Sequence, residues 1–209
     1  MFQLLIIFAI INFASCQEVL FKNDFLRDSN EWRITGNKVE EPAVHQSYNL
    51  NYDMSHYIMF KDNLINSDSK NPSDKSLWYF ESPQIIINPN CKYESSECKK
   101  NKPIYPTVLT FTMTSFVGDF KRQNNNLNLV KIKNGSNSIV FNAPEYNGEL
   151  KTFNVPFVKQ LWRNNDVMRS QLSDEEFKNI FIGPFIIEIL GDWTQGMEVM
   201  GLDNVIIWK

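Results

Sequence analysis

Apolar residues along this chain come in short runs that alternate with polar ones. Leu109, Phe111 and Met113 interleave with Thr110, Thr112 and Thr114. That is the two-residue period of a strand with one face in a core and the other in a polar surround. Tyr57-Ile58-Met59-Phe60, Leu77-Trp78-Tyr79-Phe80, Gln84-Ile85-Ile86-Ile87, Ser138-Ile139-Val140-Phe141, Lys151-Thr152-Phe153-Asn154-Val155 and Phe185-Ile186-Ile187-Glu188-Ile189-Leu190 are further strand candidates. Asn126-Leu127-Asn128-Leu129 alternates, and Val130 and Ile132 then fall on the opposite phase, as a bulge would produce. Turn residues separate the runs: Asn-Pro-Asn at 88–90 and Asn-Gly at 134–135 and 147–148. Many short strands with such breaks predict an antiparallel β-sandwich or barrel. At the far end, Gly201-Leu202-Asp203-Asn204 predicts a tight turn that opens into a closing strand, Val205-Ile206-Ile207-Trp208.

One segment keeps a helical period instead. Ser173-Asp174-Glu175-Glu176 is a capping box, and Phe177, Ile180 and Phe181 then share one face. Gly183-Pro184 ends it. The stretches from Asp62 to Lys75 and from Gln123 to Asn126 are polar and read as exposed loop and tip.

Residues 1–16 change the compartment expected. Met1 to Phe13 is almost wholly apolar, and small residues follow in Ala14-Ser15-Cys16. This is the outline of a secretory signal peptide, too short for a membrane span of about 20 residues. Residues 17–209 then form one domain. Phe13-Ala14-Ser15-Cys16 also has the outline of a bacterial lipobox, which would leave Cys16 lipidated. With Cys16 removed, Cys91 and Cys98 remain as a single disulfide pair across a polar loop, which export permits. A metal site on these two lacks further ligands, because His45 and His56 are far off in sequence. Asn134-Gly135-Ser136 is an N-glycosylation sequon, so Asn134 is the candidate acceptor.

Charge narrows the partners. A net charge of −3 without clustered Lys and Arg argues against nucleic acid. No basic amphipathic run suggests a membrane surface. No nucleophile elbow, metalloprotease motif or phosphate loop appears. Glu81 with Glu188 or Asp192 could be imagined as a glycosidase pair, but Glu188 alternates with apolar neighbours and is expected to face solvent.

Several segments in order resemble the laminin B domain, also called the laminin IV type A domain. They are Asp28-Ser29-Asn30-Glu31-Trp32, Tyr57-Ile58, Leu77-Trp78-Tyr79-Phe80-Glu81-Ser82-Pro83, Pro106-Thr107-Val108-Leu109-Thr110-Phe111, Leu161-Trp162, Leu172 to Phe177, and Gly201-Leu202-Asp203-Asn204-Val205. The resemblance spans about Phe25 to Lys209. It implies a jelly-roll, galactose-binding-like β-sandwich and an extracellular role. Related jelly rolls hold a structural calcium where the first loop meets the last strand, and Asp24 and Asp203 are the carboxylates that chain order brings there. The plainer alternative is that Asp203-Asn204 makes a turn.

The reading that follows is a secreted, non-catalytic module that recognises a glycan or an extracellular protein. Self-association as a matrix or coat component is the alternative, and a carbohydrate-active enzyme comes third. Trp193, Trp78 and Tyr79 are the candidate sugar-stacking side chains, weighed against a place in the core. Trp193 is the first choice, because Gly191 to Gly196 reads as an exposed loop.

Overall fold

The computed structural model describes residues 17–36, 39–49, 54–62, 77–89, 102–122, 127–165 and 172–209. Residues 1–16, and with them the signal peptide and Cys16, lie outside the described residues, as do Cys91, Cys98, residues 63–75 and residues 123–126.

Two antiparallel sheets face one another. The first is built from β1 (Val19–Asn23), β4 (Val44–Asn49), β5 (Met54–Asp62), β7 (Val108–Val117), β10 (Lys151–Pro156) and β13 (Glu198–Trp208), in the order β10-β7-β13-β5-β4. Strand β13 is long enough to serve two neighbours on one edge. Its residues Glu198 to Leu202 pair with β5, and Val205 to Trp208 pair with β1. The second sheet holds β2 (Arg33–Gly36), β3 (Val39–Pro42), β6 (Trp78–Glu81), β8 (Asn128–Asn134), β9 (Asn137–Asn142), β11 (Trp162–Asn164) and β12 (Ile186–Leu190), in the order β11-β9-β8-β12-β6-β2-β3. The antiparallel β-sandwich expected from the alternation is therefore present.

Alternation decides what faces the core. On β7, Leu109, Phe111 and Met113 are fully buried while the threonines between them are less so. Trp78 of β6 meets Phe60 of β5 across the core, with ring centroids 4.8 Å apart, and Phe80 lies edge-on to Trp78 at 5.3 Å. Trp78 lies against Gly191, where a Cβ would fall 1.9 Å from its ring. Any side chain at 191 would push the tryptophan out. The bulge expected near Asn126–Ile132 is found between Asn128 and Val130 of β8.

The helix α1 (Asp174–Asn179) starts where its capping box predicts. Ser173 Oγ accepts from the Glu176 amide at 3.1 Å, and Glu176 Oε2 accepts from the Ser173 amide at 2.8 Å. Phe177, Ile180 and Phe181 are buried, Phe177 facing Trp162 and Phe181 facing Phe157 and Phe185.

Two expectations are corrected. Residues 84–87 form no strand: one bridge joins Ile85 to Phe185, and Ile86 is exposed. The Asp203-Asn204 pair does not precede the last strand but interrupts it. β13 runs through both residues with a bulge there, and Asn204 takes a left-handed φ of 50°. Asn accepts that conformation because its short polar side chain bonds locally, here to Asp203 Oδ2 at 3.0 Å.

Candidate functional site

The described surface has an open groove of about 530 Å³ at one end of the first sheet. It is lined by Thr114, Phe116 and Val117 from the end of β7, Phe120 beyond it, and Asn147 and Glu149 from the segment leading into β10. The alternation of β7 places Thr114 and Phe116 on the face away from the core. Phe116 packs on Tyr57, with centroids 5.2 Å apart, and the absence of a side chain at Gly201 makes room for both rings.

The other wall is set by a turn. Asn147 Oδ1 accepts from the Glu149 amide at 3.2 Å, and the Gly148 carbonyl accepts from the Ser115 amide at 2.8 Å. Gly148 has φ 88°, and a Cβ there would come within 2.5 Å of the Phe120 ring. Only glycine allows both the backbone conformation and the ring lying over it. Phe120 in turn meets Tyr146 edge-on at 5.4 Å, and Tyr146 meets Trp193 at 4.8 Å. The groove is thus backed by a continuous stack of aromatic rings.

Behind that stack lie three buried carboxyls. Glu198 begins β13 opposite Asp62, the last residue of β5, and Asp192 lies in the 191–197 loop. All three are at most 3% exposed. The Glu198 carboxylate accepts from the Trp193 amide at 3.0 Å and from Thr194 Oγ1 at 3.3 Å. Burial first, then the charge of Asp192, raises the Glu198 carboxyl well above the usual range; the Trp193 amide opposes this and Asp62 adds to it. The same burial, helped by Glu198, raises the Tyr146 phenol.

The residues picked from sequence stand elsewhere. Trp193 is 1% exposed, Trp78 0% and Tyr79 2%. None presents a free ring face, so the exposed-loop reading of Trp193 is corrected. Its loop is folded inward because Glu198 bonds its amide and Tyr146 and Phe153 flank its ring. Tyr79 is covered by the Lys131 ammonium, 3.9 Å above its ring. Glu188 does not face open solvent either. It is buried, pairs with Lys133, and lies in register with Glu81.

Asp24 and Asp203 do come close enough to interact, as chain order suggested. Their oxygens are engaged, however. Asp24 pairs with Lys22 at 3.0 Å, which holds its carboxyl below the ordinary range, and Asp203 accepts from both nitrogens of Asn204. Burial pushes the Asp203 carboxyl up to about 6. No group of three or more His, Cys, Asp or Glu suited to a metal occurs among the described residues. Two engaged carboxylates do not supply the six to eight oxygens calcium takes.

Asn134 sits at the β8–β9 turn, but its amide nitrogen is not free. It donates to the Ile182 carbonyl at 2.8 Å and the Ile180 carbonyl at 3.1 Å, tying down the end of α1. A glycan on that nitrogen would leave one hydrogen for two carbonyls, so the acceptor reading is at odds with this geometry. His45 and His56, distant in sequence, stack 6.1 Å apart on β4 and β5.

Sequence reasoning missed Phe116, Asn147 and Glu149, and of the buried carboxyls it singled out only Asp192, for a different pairing. The Asn-Gly pair at 147–148 was a visible turn signal, and Phe116 continues the β7 alternation by one step. Nothing in the sequence brings Asp62, Asp192 and Glu198 together.

Comparison with solved structures returns the same fold. The L4b domain of human laminin alpha-2 aligns with a TM-score of 0.58 at 12% identity, over 90% of this chain and 96% of that one. CtCBM11, solved in solution, aligns at 0.49 and 13% identity over 93% and 96%. The family 11 carbohydrate-binding module from Clostridium thermocellum with a β-1,3-1,4-mixed-linked tetrasaccharide aligns at 0.44 and 13% over 89% and 93%. No family model matches the sequence, and no curated protein matches it. The likeness to the laminin domain, at 12% identity, is one of fold.

Proposed function

We propose that this domain is a non-catalytic recognition module, acting outside the cell, that holds a glycan in the groove between β7 and the 143–150 segment. The observation that carries the reading is the pairing of a half-buried Phe116 ring with the Asn147 amide and Glu149 carboxylate around one open cavity of about 530 Å³. That volume is in the range of small-ligand sites, about 300–1,000 Å³. A pyranose offers an apolar C–H face for a ring and hydroxyls for a carboxylate and an amide. Glu149 is the one carboxylate among the groove residues. Glycoside hydrolysis ordinarily uses two, which favours binding over cleavage. The export signal read in residues 1–16 is what supports the extracellular setting.

The test is a glycan array probed with the multimerised domain, followed by titration of any hit. Phe116→Ala and Glu149→Gln should each weaken binding at least about tenfold, as loss of a stacked ring or a charged acceptor does. A folded sample that binds no sugar, or whose binding ignores both substitutions, overturns the reading. Self-association is the second reading, favoured by the exposed Val117 and Leu150 on the groove rim. It requires concentration-dependent sedimentation that Leu150→Asp abolishes.

A further inference from the structure

The chain holds two Asn-Gly pairs, at 134–135 and 147–148, and the fold treats them differently. In the first the side-chain amide is tied down: Asn134 Nδ2 donates to the Ile182 carbonyl at 2.8 Å and to the Ile180 carbonyl at 3.1 Å. In the second the asparagine is exposed, and it is held by its oxygen, which accepts from the Glu149 amide at 3.2 Å. The other bond of that turn uses the Gly148 carbonyl, which accepts from the Ser115 amide at 2.8 Å. Both bonds spare the Gly148 nitrogen and Asn147 Nδ2, the two atoms that an Asn-Gly rearrangement joins and expels.

We propose that Asn147 is a site of spontaneous covalent modification, deamidation through a cyclic imide, and that the fold protects Asn134 from the same reaction. The Gly148 nitrogen, on losing its proton to water, attacks Asn147 Cγ, and glycine has no side chain to hinder that approach. The carbonyl electrons move on to Oδ1, where the Glu149 N–H already donates to the oxygen that becomes negative. The intermediate collapses as Nδ2 takes up a proton and leaves as ammonia. Water then opens the imide at either carbonyl. One opening leaves an aspartate in place of the asparagine; the other leaves an isoaspartate, with the backbone running through the side-chain carbon. Nothing is oxidised or reduced, and water is the sole co-reactant. At Asn134 the same step would take the donor away from the Ile180 and Ile182 carbonyls, which disfavours it. Asn147 and Glu149 line the same groove, so either product puts a second carboxylate there and removes the Asn147 donors. The isoaspartate also lengthens the turn under Phe120, where even a Cβ on Gly148 would come within 2.5 Å of the ring. The effect on a ligand in the groove rests on the function proposed above; the modification itself does not.

The experiment uses the domain made in a host that adds no N-glycan, so that both asparagines start as free amides. It is incubated at mildly alkaline pH, once in native buffer and once in concentrated urea. Peptide mapping by mass spectrometry follows the amide-to-acid change at each asparagine, and enzymatic methylation counts isoaspartate. In urea the two Asn-Gly pairs set the reference ratio of rates. In native buffer the ratio of Asn147 to Asn134 conversion should exceed that reference by at least about tenfold, the order of effect of a buried hydrogen-bonding group left without its partner. Asn147→Gln should abolish conversion at 147, because the longer side chain must close a larger ring, and should leave Asn134 as slow as before. A smaller rise in the ratio, or conversion at 147 that persists in Asn147→Gln, overturns the proposal. Because the readout needs no sugar, the modification can fail while glycan binding stands, and the reverse.

Discussion

Two regions of this sandwich bury carboxylates, and they do so in opposite ways. On the outward face of the second sheet, Glu188 pairs with Lys133, and Glu81 lies in register between Glu188 and Arg33. At the end of the first sheet, Glu198 has acids for its charged neighbours, Asp192 and Asp62. Burial is as deep in both. The difference lies in the neighbours: a cation beside a buried acid lowers its hold on a proton, and a second acid raises it. Glu81 shows the intermediate case: burial and then Glu188 raise its carboxyl, while Lys133 and Arg33 pull it down.

The largest expected effect tests how much the carboxyl end depends on its anchor. Trp193→Ala empties a fully buried ring site and should cost about 3–5 kcal/mol, read by urea denaturation at fixed pH. A cost under about 1 kcal/mol would mean that the loop is not packed as described.

Next is the pH profile of stability. Glu198 and Asp203 both bind protons more tightly when folded than their ordinary strengths allow. Groups of that kind stabilise the fold fully below their unfolded values, and the contribution is lost as pH rises through the folded values. For Asp203 the loss falls between the ordinary 3.8 and about 6; for Glu198 it begins at the ordinary 4.5 and extends further. These two therefore give a slope of falling stability with rising pH, at most about 1.4 kcal/mol per pH unit for each proton. Glu198→Gln should flatten the part above about pH 6, as measured by thermal unfolding in a pH series.

Lys133→Met sharpens the contrast by removing the cation that faces Glu188. Lys133 is partly exposed, so the expected cost at neutral pH is reduced to about 1–2 kcal/mol. The informative sign is the pH dependence: Lys133 holds down a Glu81 carboxyl that burial and Glu188 raise, so the variant should recover stability on acidification as Glu81 takes up a proton. An equal penalty at pH 5 and pH 8 would break the comparison.

The smallest effect concerns neither region. Ser173→Ala removes one half of the capping box and should cost about 1 kcal/mol, with no change in the pH profile.

What could be read from the sequence was what rests on local period. The β7 alternation, the bulge in β8 and the capping box of α1 each depend on residues a few positions apart, and each is present. Asp24 and Asp203 were also brought near one another by chain order alone. The aromatic candidates failed for a different reason. Gly191 to Gly196 has loop composition, but composition does not reveal that a glutamate two residues further on folds that loop inward. Tyr79 and Glu188 lie on a face that alternation assigns to the outside, yet Lys131 and Lys133 draw them out of water. Long-range pairing made both decisions, and the spacing of residues carries no record of it.

The pairing of β1 with β13 also governs how the fold meets tension. Val19 lies against Trp208 and Asn23 against Val205, so Glu18 and Lys209 emerge side by side, joined by an ion pair at 3.0 Å and by a hydrogen bond from the Lys209 amide to the Glu18 carbonyl. Antiparallel ladder bonds run across the strands. A pull that separates these two points therefore loads the bonds singly, from Val19 inward, and peels β1 away like a zipper. Handles attached at Glu18 and Lys209 should find a soft direction, whereas handles that shear β7 along β13 should meet many bonds at once.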